Sequence, residues 1–368
     1  MKKKICYLAD ASNPHVKKWC DYFLKRDYEI HCISLNGGEI EGVTVHNFQT
    51  NVNEVRNEKI YKKTSYLSNI KKIKKLVNEI KPDILHAQYA SSYGFIGSLI
   101  GYHPYVVSVW GTDIYDFPRN GFIQKNIIKH NFRKADYIFS NSVDMAREAN
   151  LYTDKKVHVT FFGVDMERFH PMEIEKDEYY RIGIIKSLEK KYGIKYLISA
   201  FDSIVKKYNG EVRGRKLKLV IGGSGKDEEN LKNQVKELGL EEYVEFLGRV
   251  KPENICREFN SFEFSVFPSL REGFGVAAIE SESCETPVII TDVGGHKESV
   301  DPGKSGLVVN SQSSEELAEA MSVLIDDEDR RAEMGRYGRE FVRNNYEVND
   351  NFYDISLIYD MILEENRK

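Results

Sequence analysis

A chain of 368 residues, 41% apolar and 30% charged, has the size and balance of two or three ordinary soluble domains, and no window stays apolar long enough to span a bilayer. Its five cysteines are odd in number and scattered, which excludes a disulfide framework and a metal-ligand spacing; the first apolar run ends at Asp10, too soon for a secretory signal, so a cytoplasmic protein is expected. The net charge of -4 divides into +7 over residues 1–170 and -11 over residues 171–368, which favours an anionic partner for the first half, while the overall balance gives no reason to expect a nucleic-acid binder.

From the start, predicted strands alternate with helical patterns. Lys4–Ala9 reads as a buried strand, and Val16, Trp19, Cys20, Phe23 and Leu24 then follow helical spacing. Ser12-Asn13-Pro14-His15 joins the two. Amides at such a joint can meet phosphate oxygens; Ser12 or Asn13 before Pro14 equally makes an ordinary N-cap. Further strands are expected at Ile30–Leu35, Ile84–Ala87, Tyr105–Trp110, Tyr137–Ser140 and Val157–Phe161. Ile70, Ile73, Val77 and Ile80 repeat at helical spacing with Lys71, Lys72, Lys74 and Lys75 among them and Lys59, Lys62 and Lys63 nearby. This basic amphipathic helix either covers the sheet with a solvated charged face or makes a peripheral contact with anionic lipid at the inner face of the membrane. His86, at a strand end, is either a structural histidine or a group on the sugar side.

A linker over Gly163–Tyr180, with Pro171 and a charged run, separates a second series. Its strands are expected at Ile182–Ile185, Leu217–Ile221, Val244–Leu247, Phe264–Phe267, Val288–Thr291 and Leu307–Val309. Strands alternating with helices imply parallel sheets covered on both faces. Two such series imply two Rossmann-like α/β domains, residues 1–170 and 171–349. Phe352, Ile355, Ile358, Tyr359 and Ile362 end the chain as an amphipathic helix over about 350–368.

The segment from Phe267 to Val300, FPSLREGFGVAAIESESCETPVIITDVGGHKESV, is the most informative. A strand ends at Pro268, a loop carries Glu272-Gly273-Phe274-Gly275, and Val276 opens a helix containing Glu280. Glycines at such a turn let the backbone approach a ligand, and the new helix's free amides suit a diphosphate. Glu272 and Glu280 are eight positions apart, roughly 12 Å along a helix axis. That exceeds the roughly 5–9.5 Å between the carboxyls of a glycosidase pair. It suits two hydroxyl-binding carboxylates, one for a sugar and one for a ribose; the plainer reading is an acidic residue at a helix start and a solvated helix face. Gly222-Gly223-Ser224-Gly225 is likewise either a tight turn or a close approach to the nucleotide, without the spacing of a dinucleotide or Walker motif.

The glutamates of EGFGVAAIE resemble the E-x7-E signature of retaining GT-B glycosyltransferases, especially family 4. CETPVIITDVGGHKESV resembles the stretch that follows it there. FFGVDMERFHP, IIKSLEKKYGIKYLISAF, LVIGGSGKDEENL and VEFLGRV are similar to other landmarks of the family, so the resemblance extends over nearly the whole chain. It implies two Rossmann-like domains facing a cleft, with the last helix crossing back to the first. Glu272 would bind donor-sugar hydroxyls. Gly273, Phe274, Gly275 and Val276 would present backbone to sugar and phosphate, and Glu280 would take the ribose diol. Lys186 and Lys191 would offset the diphosphate charge. Lys186 stands where the family has Arg, and Lys191 is one residue out of step because Tyr192 intervenes. Arg249 and Val250 would hold the base, and Gly223 would lie near the nucleotide. In the first domain Ser12 and Asn13 replace a glycine-rich loop. Trp110-Gly111-Thr112-Asp113 resembles a segment that begins with His in the family; Trp110 offers a flat face for a sugar, with His15 and His86 on the same side. Asp113 is either a polar group of the cleft or the cap of the next helix.

The reaction implied is glycosyl transfer with retention, from a nucleotide sugar, by default a UDP-sugar, to a glycan, glycolipid or small-alcohol hydroxyl. No cofactor and no metal are expected. A nucleotide-sugar epimerase of the same fold and a non-catalytic nucleotide-sugar binder are the alternatives. The first needs proton-abstracting groups that cannot be assigned in this sequence; the second is made conceivable by Trp110.

Overall fold

The computed structural model describes residues 2–48, 64–175 and 177–366; Lys59, Lys62 and Lys63 of the expected basic stretch lie outside the described residues. Two compact units result: Met1–Phe162 with Asn349–Lys368, and Gly163–Val348. The boundary falls after Phe162 rather than after His170. Val164 bridges to Glu347 and Phe169 packs on Phe259, so the first part of the expected linker belongs to the second unit.

The first unit contains β1 (Lys4–Leu8), α1 (Pro14–Leu24), β2 (Glu29–Ser34), β3 (Thr44–Asn47), α2 (Thr64–Ile80), β4 (Ile84–Gln88), α3 (Tyr93–Ile100), β5 (Tyr105–Val109), α4 (Thr112–Tyr115), α5 (Phe122–Lys134), β6 (Tyr137–Ser140), α6 (Val143–Ala149) and β7 (Val157–Val159). The strands run parallel in the order β3-β2-β1-β4-β5-β6-β7. The chain winds outward from β1 to β3, then returns to place β4 beside β1, so the winding reverses between those strands. Ile73, Val77 and Ile80 of α2 pack with Ile96 and Ile100 of α3 and Ile128 and Phe132 of α5 on one face of the sheet. Lys71, Lys72, Lys74 and Lys75 stay exposed, with Lys75 3.7 Å from Glu79.

The second unit contains β8 (Tyr179–Ile185), α7 (Ile194–Lys207), β9 (Glu211–Val212), β10 (Arg215–Gly222), α8 (Glu228–Glu237), β11 (Val244–Gly248), α9 (Ile255–Ser261), β12 (Phe264–Phe267), α10 (Val276–Ser283), β13 (Val288–Thr291), β14 (Gly306–Val309), α11 (Ser314–Asp326) and α12 (Glu328–Tyr346). Its order is β11-β10-β8-β12-β13-β14, with short β9 antiparallel on β10. The reversal here lies between β8 and β12, and in open α/β sheets ligands gather at the strand C-termini beside such a point.

The final helix α13 (Val348–Glu365) returns to the first unit, as the resemblance implies. Phe352, Ile355, Tyr359 and Ile362, one stripe at helical spacing, are fully buried. Phe352 meets Trp19 and Tyr22 at ring distances of 5.3 and 5.1 Å, and Tyr359 stacks on Phe23 at 5.1 Å. The helix therefore covers the sheet face that α1 leaves partly open.

Candidate active site

In the second unit, residues from both sides of the strand reversal meet. Lys186 follows β8 directly, and Glu272 lies in the loop between β12 and α10. The Lys186 Nζ is 2.7 Å from the Glu272 Oε2. Burial works against both charges, yet their mutual attraction prevails. Lys186 is held above the ordinary lysine range and Glu272 below the ordinary carboxylate range, so both are ionised. Ser269 and the Gly273 amide donate to the same carboxylate at 3.4 and 3.3 Å.

A turn at Lys190–Tyr192 brings Lys191 to the same place. Its backbone carbonyl accepts from the Leu270 amide at 2.8 Å. Gly193 ends the turn at φ 61°, where a Cβ would lie 2.1 Å from the Pro268 carbonyl oxygen. The Lys186 and Lys191 ammonium groups lie 4.7 and 4.8 Å from the centre of the one Tyr192 ring. The residue that put Lys191 out of step in the sequence is thus the surface both cations share.

Helix α10 opens at this edge, and its first amides have no partner within the helix. Glu280 lies half-buried one turn further along. Gly275 has φ 103°, and a Cβ there would lie 2.6 Å from the His296 ring and 2.9 Å from the Ser299 hydroxyl. Glycine is therefore required by the fold itself. Phe274 is buried against Tyr346 at 4.9 Å, which makes it a packing residue. Val276 is the first helical residue.

His296 is the residue that sequence reasoning missed. It is 1% exposed, and its Nδ1 has no hydrogen-bond partner. Burial pulls its pKa down to about 4, with the Glu272 charge partly opposing, so the ring is neutral near pH 7. The signal was a histidine just after two glycines at a strand end, and Gly294 does adopt φ 49°.

Gly223 differs from its sequence reading. Its amide donates to the Gly248 carbonyl at 2.7 Å, and a Cβ would lie 1.9 Å from the Lys186 carbonyl oxygen. The glycine lets two backbones pass closely and has no free amide for a nucleotide. Arg249 is exposed and Val250 half-buried, directly beyond β11.

The first unit corrects several expectations. Ser12 and Asn13 have no spare amides: Ser12 donates to the Asp10 carboxylate at 3.0 Å and Asn13 to the Asp10 carbonyl at 2.9 Å, while the Asn13 side chain caps α1 through the His15 amide. The N-cap reading therefore holds. Asp113 is fully buried and accepts from the amides of Ala90, Trp110 and Gly111 at 2.7, 3.0 and 2.8 Å. Burial raises its pKa to about 6 against those bonds. It ties the loops after β4 and β5 together and has no oxygen left for a substrate. His86 is fully buried, bonded to Tyr359 at 2.5 Å and Ser108 at 2.6 Å, and burial lowers its pKa to about 3. It is a core histidine that holds the last helix. What remains at the strand ends is an aromatic group. His15 stacks on Phe162 at 4.4 Å, and Trp110 stands edge-on to both at 6.2 and 5.1 Å.

Among the described residues no three His, Cys, Asp or Glu side chains are placed to hold a metal ion, and no helix is long and apolar enough to cross a membrane.

The order of these elements and motifs is found in known proteins. Residues 4–142 match the family described as glycosyl transferase 4-like, and residues 165–341 match glycosyl transferases group 1. The chain is a glycosyltransferase. An uncharacterised glycosyltransferase of Methanocaldococcus jannaschii is 28% identical over 86% of this chain and 85% of its own. The capsular polysaccharide biosynthesis glycosyltransferase CapM of Staphylococcus aureus is 25% identical over 99% of this chain and 98% of its own. A GDP-mannose-dependent mannosyltransferase of Mycobacterium tuberculosis is 30% identical over 49% of each chain. The fold of this glycosyltransferase, GT-B, is that of sucrose-phosphate synthase from Thermosynechococcus elongatus, with TM-score 0.85 and 16% identity over 99% of this chain and 100% of that one. HepE of Anabaena, solved with UDP and glucose, has TM-score 0.78 and 18% identity over 97% and 99% of the two chains.

Proposed function

We propose that this glycosyltransferase moves a hexosyl group from a UDP-sugar to a hydroxyl of a glycan, glycolipid or small alcohol in surface-glycan assembly, with retention at the anomeric carbon. The observation that carries the reading is the Lys186–Glu272 pair at the strand reversal beside the start of α10. The relationship to CapM supports surface glycan as the product, and the UDP held by HepE supports the base.

In this reading Glu272 accepts hydrogen bonds from the donor sugar's hydroxyls and Glu280 from the ribose diol. Lys186, Lys191 and the first amides of α10 face the diphosphate. As the bond from the anomeric carbon to the phosphate oxygen breaks, negative charge collects on the departing diphosphate. Cations fixed in advance on Tyr192 stabilise it without rearranging. Retention requires the acceptor oxygen to bond on the face the diphosphate leaves. Trp110, packed with His15 on the buried Phe162, supplies a flat surface for a sugar ring. The excess of positive charge in the first half supports peripheral contact with an anionic membrane, with the lysines of α2 as its electrostatic part.

Thermal shift with UDP, GDP and their sugar conjugates tests the donor assignment, since a ligand of the folded state raises the melting temperature. UDP and one of its sugars are expected to stabilise the protein; stabilisation by GDP alone overturns the choice of base, and by no nucleotide the donor site itself.

A further inference from the structure

The exposed surface of the first unit has one feature that the donor and acceptor groups leave unused. Phe122 and Ile123, the first two residues of α5, are 82% and 57% exposed. Two adjacent large apolar side chains in water at a helix tip lose the benefit of burial. Behind them Lys125, Lys129, Arg133 and Lys134 are all exposed, and α5 carries no acidic residue. Its inner side, Ile128 and Phe132, is fully buried, so the sheet is covered without the tip.

Topology fixes where the tip points. α5 leads into β6 at Tyr137, so its end lies at the N-terminal edge of the parallel sheet. Thirteen helical residues reach about 20 Å back. The tip therefore stands at the C-terminal edge, where Trp110 follows β5 and His15 lies in the first turn of α1. The lysines of α2 lie on the same face of the sheet as α5.

We propose that Phe122 and Ile123 insert into an anionic lipid surface, with the cations of α5 and α2 against its headgroups, so that the acceptor edge of the first unit faces a lipid-linked acceptor. A soluble polyanion satisfies the cations and leaves Phe122 and Ile123 in water; a charged bilayer satisfies both. The choice of acceptor rests on the proposed placement of the acceptor in the first unit, whereas insertion does not.

The test uses the full chain at low salt with vesicles of phosphatidylcholine, alone or mixed with an equal part of phosphatidylglycerol. Phe122→Trp is expected to blue-shift on the charged vesicles and to be quenched by acyl-brominated lipid, beyond any change in the parent's Trp19 and Trp110. Phe122→Ser with Ile123→Ser is expected to weaken vesicle binding at least about tenfold. Turnover of a lipid-linked acceptor should fall while that of a short soluble acceptor stays unchanged. If vesicles bind but Phe122→Trp is not quenched and the serine variant binds equally, insertion is overturned and only the electrostatic contact stands. If the parent ignores charged vesicles, both are overturned. If insertion is seen but both acceptors respond alike, the acceptor assignment fails and insertion stands.

Discussion

Lys186 and Glu272 hold opposite charges 2.7 Å apart where the proposed function puts the donor diphosphate. Glu272 thereby tempers the pull of Lys186 on an anion. Glu272→Gln keeps the shape and removes that restraint. Calorimetry is expected to show UDP bound at least as tightly as by the parent, while turnover falls about ten- to a hundredfold through lost charge-assisted bonds to the sugar. Parent-like turnover would remove the sugar role. Glu280→Ala should do the reverse. Nucleoside diphosphate affinity drops by roughly 1.5–3 kcal/mol because two ribose hydroxyls lose a charged acceptor. Undiminished affinity in a folded variant would place the ribose elsewhere. His86 gives a stability prediction. Its pKa in the fold, about 3, lies below the ordinary 6.5. Under acid the unfolded chain takes up a proton that the folded chain refuses, so stability falls as pH drops from 6.5 toward 3. Between pH 6.5 and 5 this amounts to about 2 kcal/mol. His86→Gln should flatten that part of the profile measured by urea unfolding; an unchanged slope counts against the assignment.

Helix α10 shows what could be read at the level of elements and what could not. Its start, its glycine loop and both glutamates were legible, because a strand end, a GFG turn and the seven-residue spacing are local patterns. Its neighbours were not. Gly275 looked like an opening for a ligand, but the contact that demands it comes from His296, twenty-one positions along. Asp113 looked like a cleft acid, yet two of its three amide partners lie on its own loop and the third at Ala90; which face of the loop it serves is a tertiary fact. The strands β3 and β9 escaped because Thr44–Asn47 and Glu211–Val212 are short, half-exposed edge segments without an apolar run. Nor was Glu282 foreseen. It lies on α10 with no exposure, and neither carboxyl oxygen has a hydrogen-bond partner. Burial raises its pKa well above the ordinary value. A raised carboxyl contributes its stability in acid and loses it as pH rises above the ordinary value of 4.5. Glu282→Met should therefore raise the melting temperature, by roughly 1–3 kcal/mol of stability, and by more at pH 8 than at pH 4.5. A variant less stable at pH 8 would show that the carboxyl is satisfied after all.

At the scale of the whole molecule, two parallel sheets were legible, since their central strands are unbroken apolar runs of the sort buried on both faces; the strand order, with a reversal in each sheet, came from the structure. The stripe Phe352, Ile355, Tyr359 and Ile362 marked α13 as an amphipathic helix, while its return to the first unit was implied by the family resemblance alone. In the proposed function, Lys186, Lys191 and the start of α10, all in the second unit, carry the leaving diphosphate's charge, the anomeric configuration is retained and no divalent metal takes part. The most direct test is proton NMR of the slow hydrolysis of an α-linked donor in the presence of a chelator, followed before mutarotation. The account predicts that the α-anomer of the free sugar is released first, at the rate seen without chelator. A β-anomer appearing first, or release that stops with chelator and returns only with manganese, would contradict it.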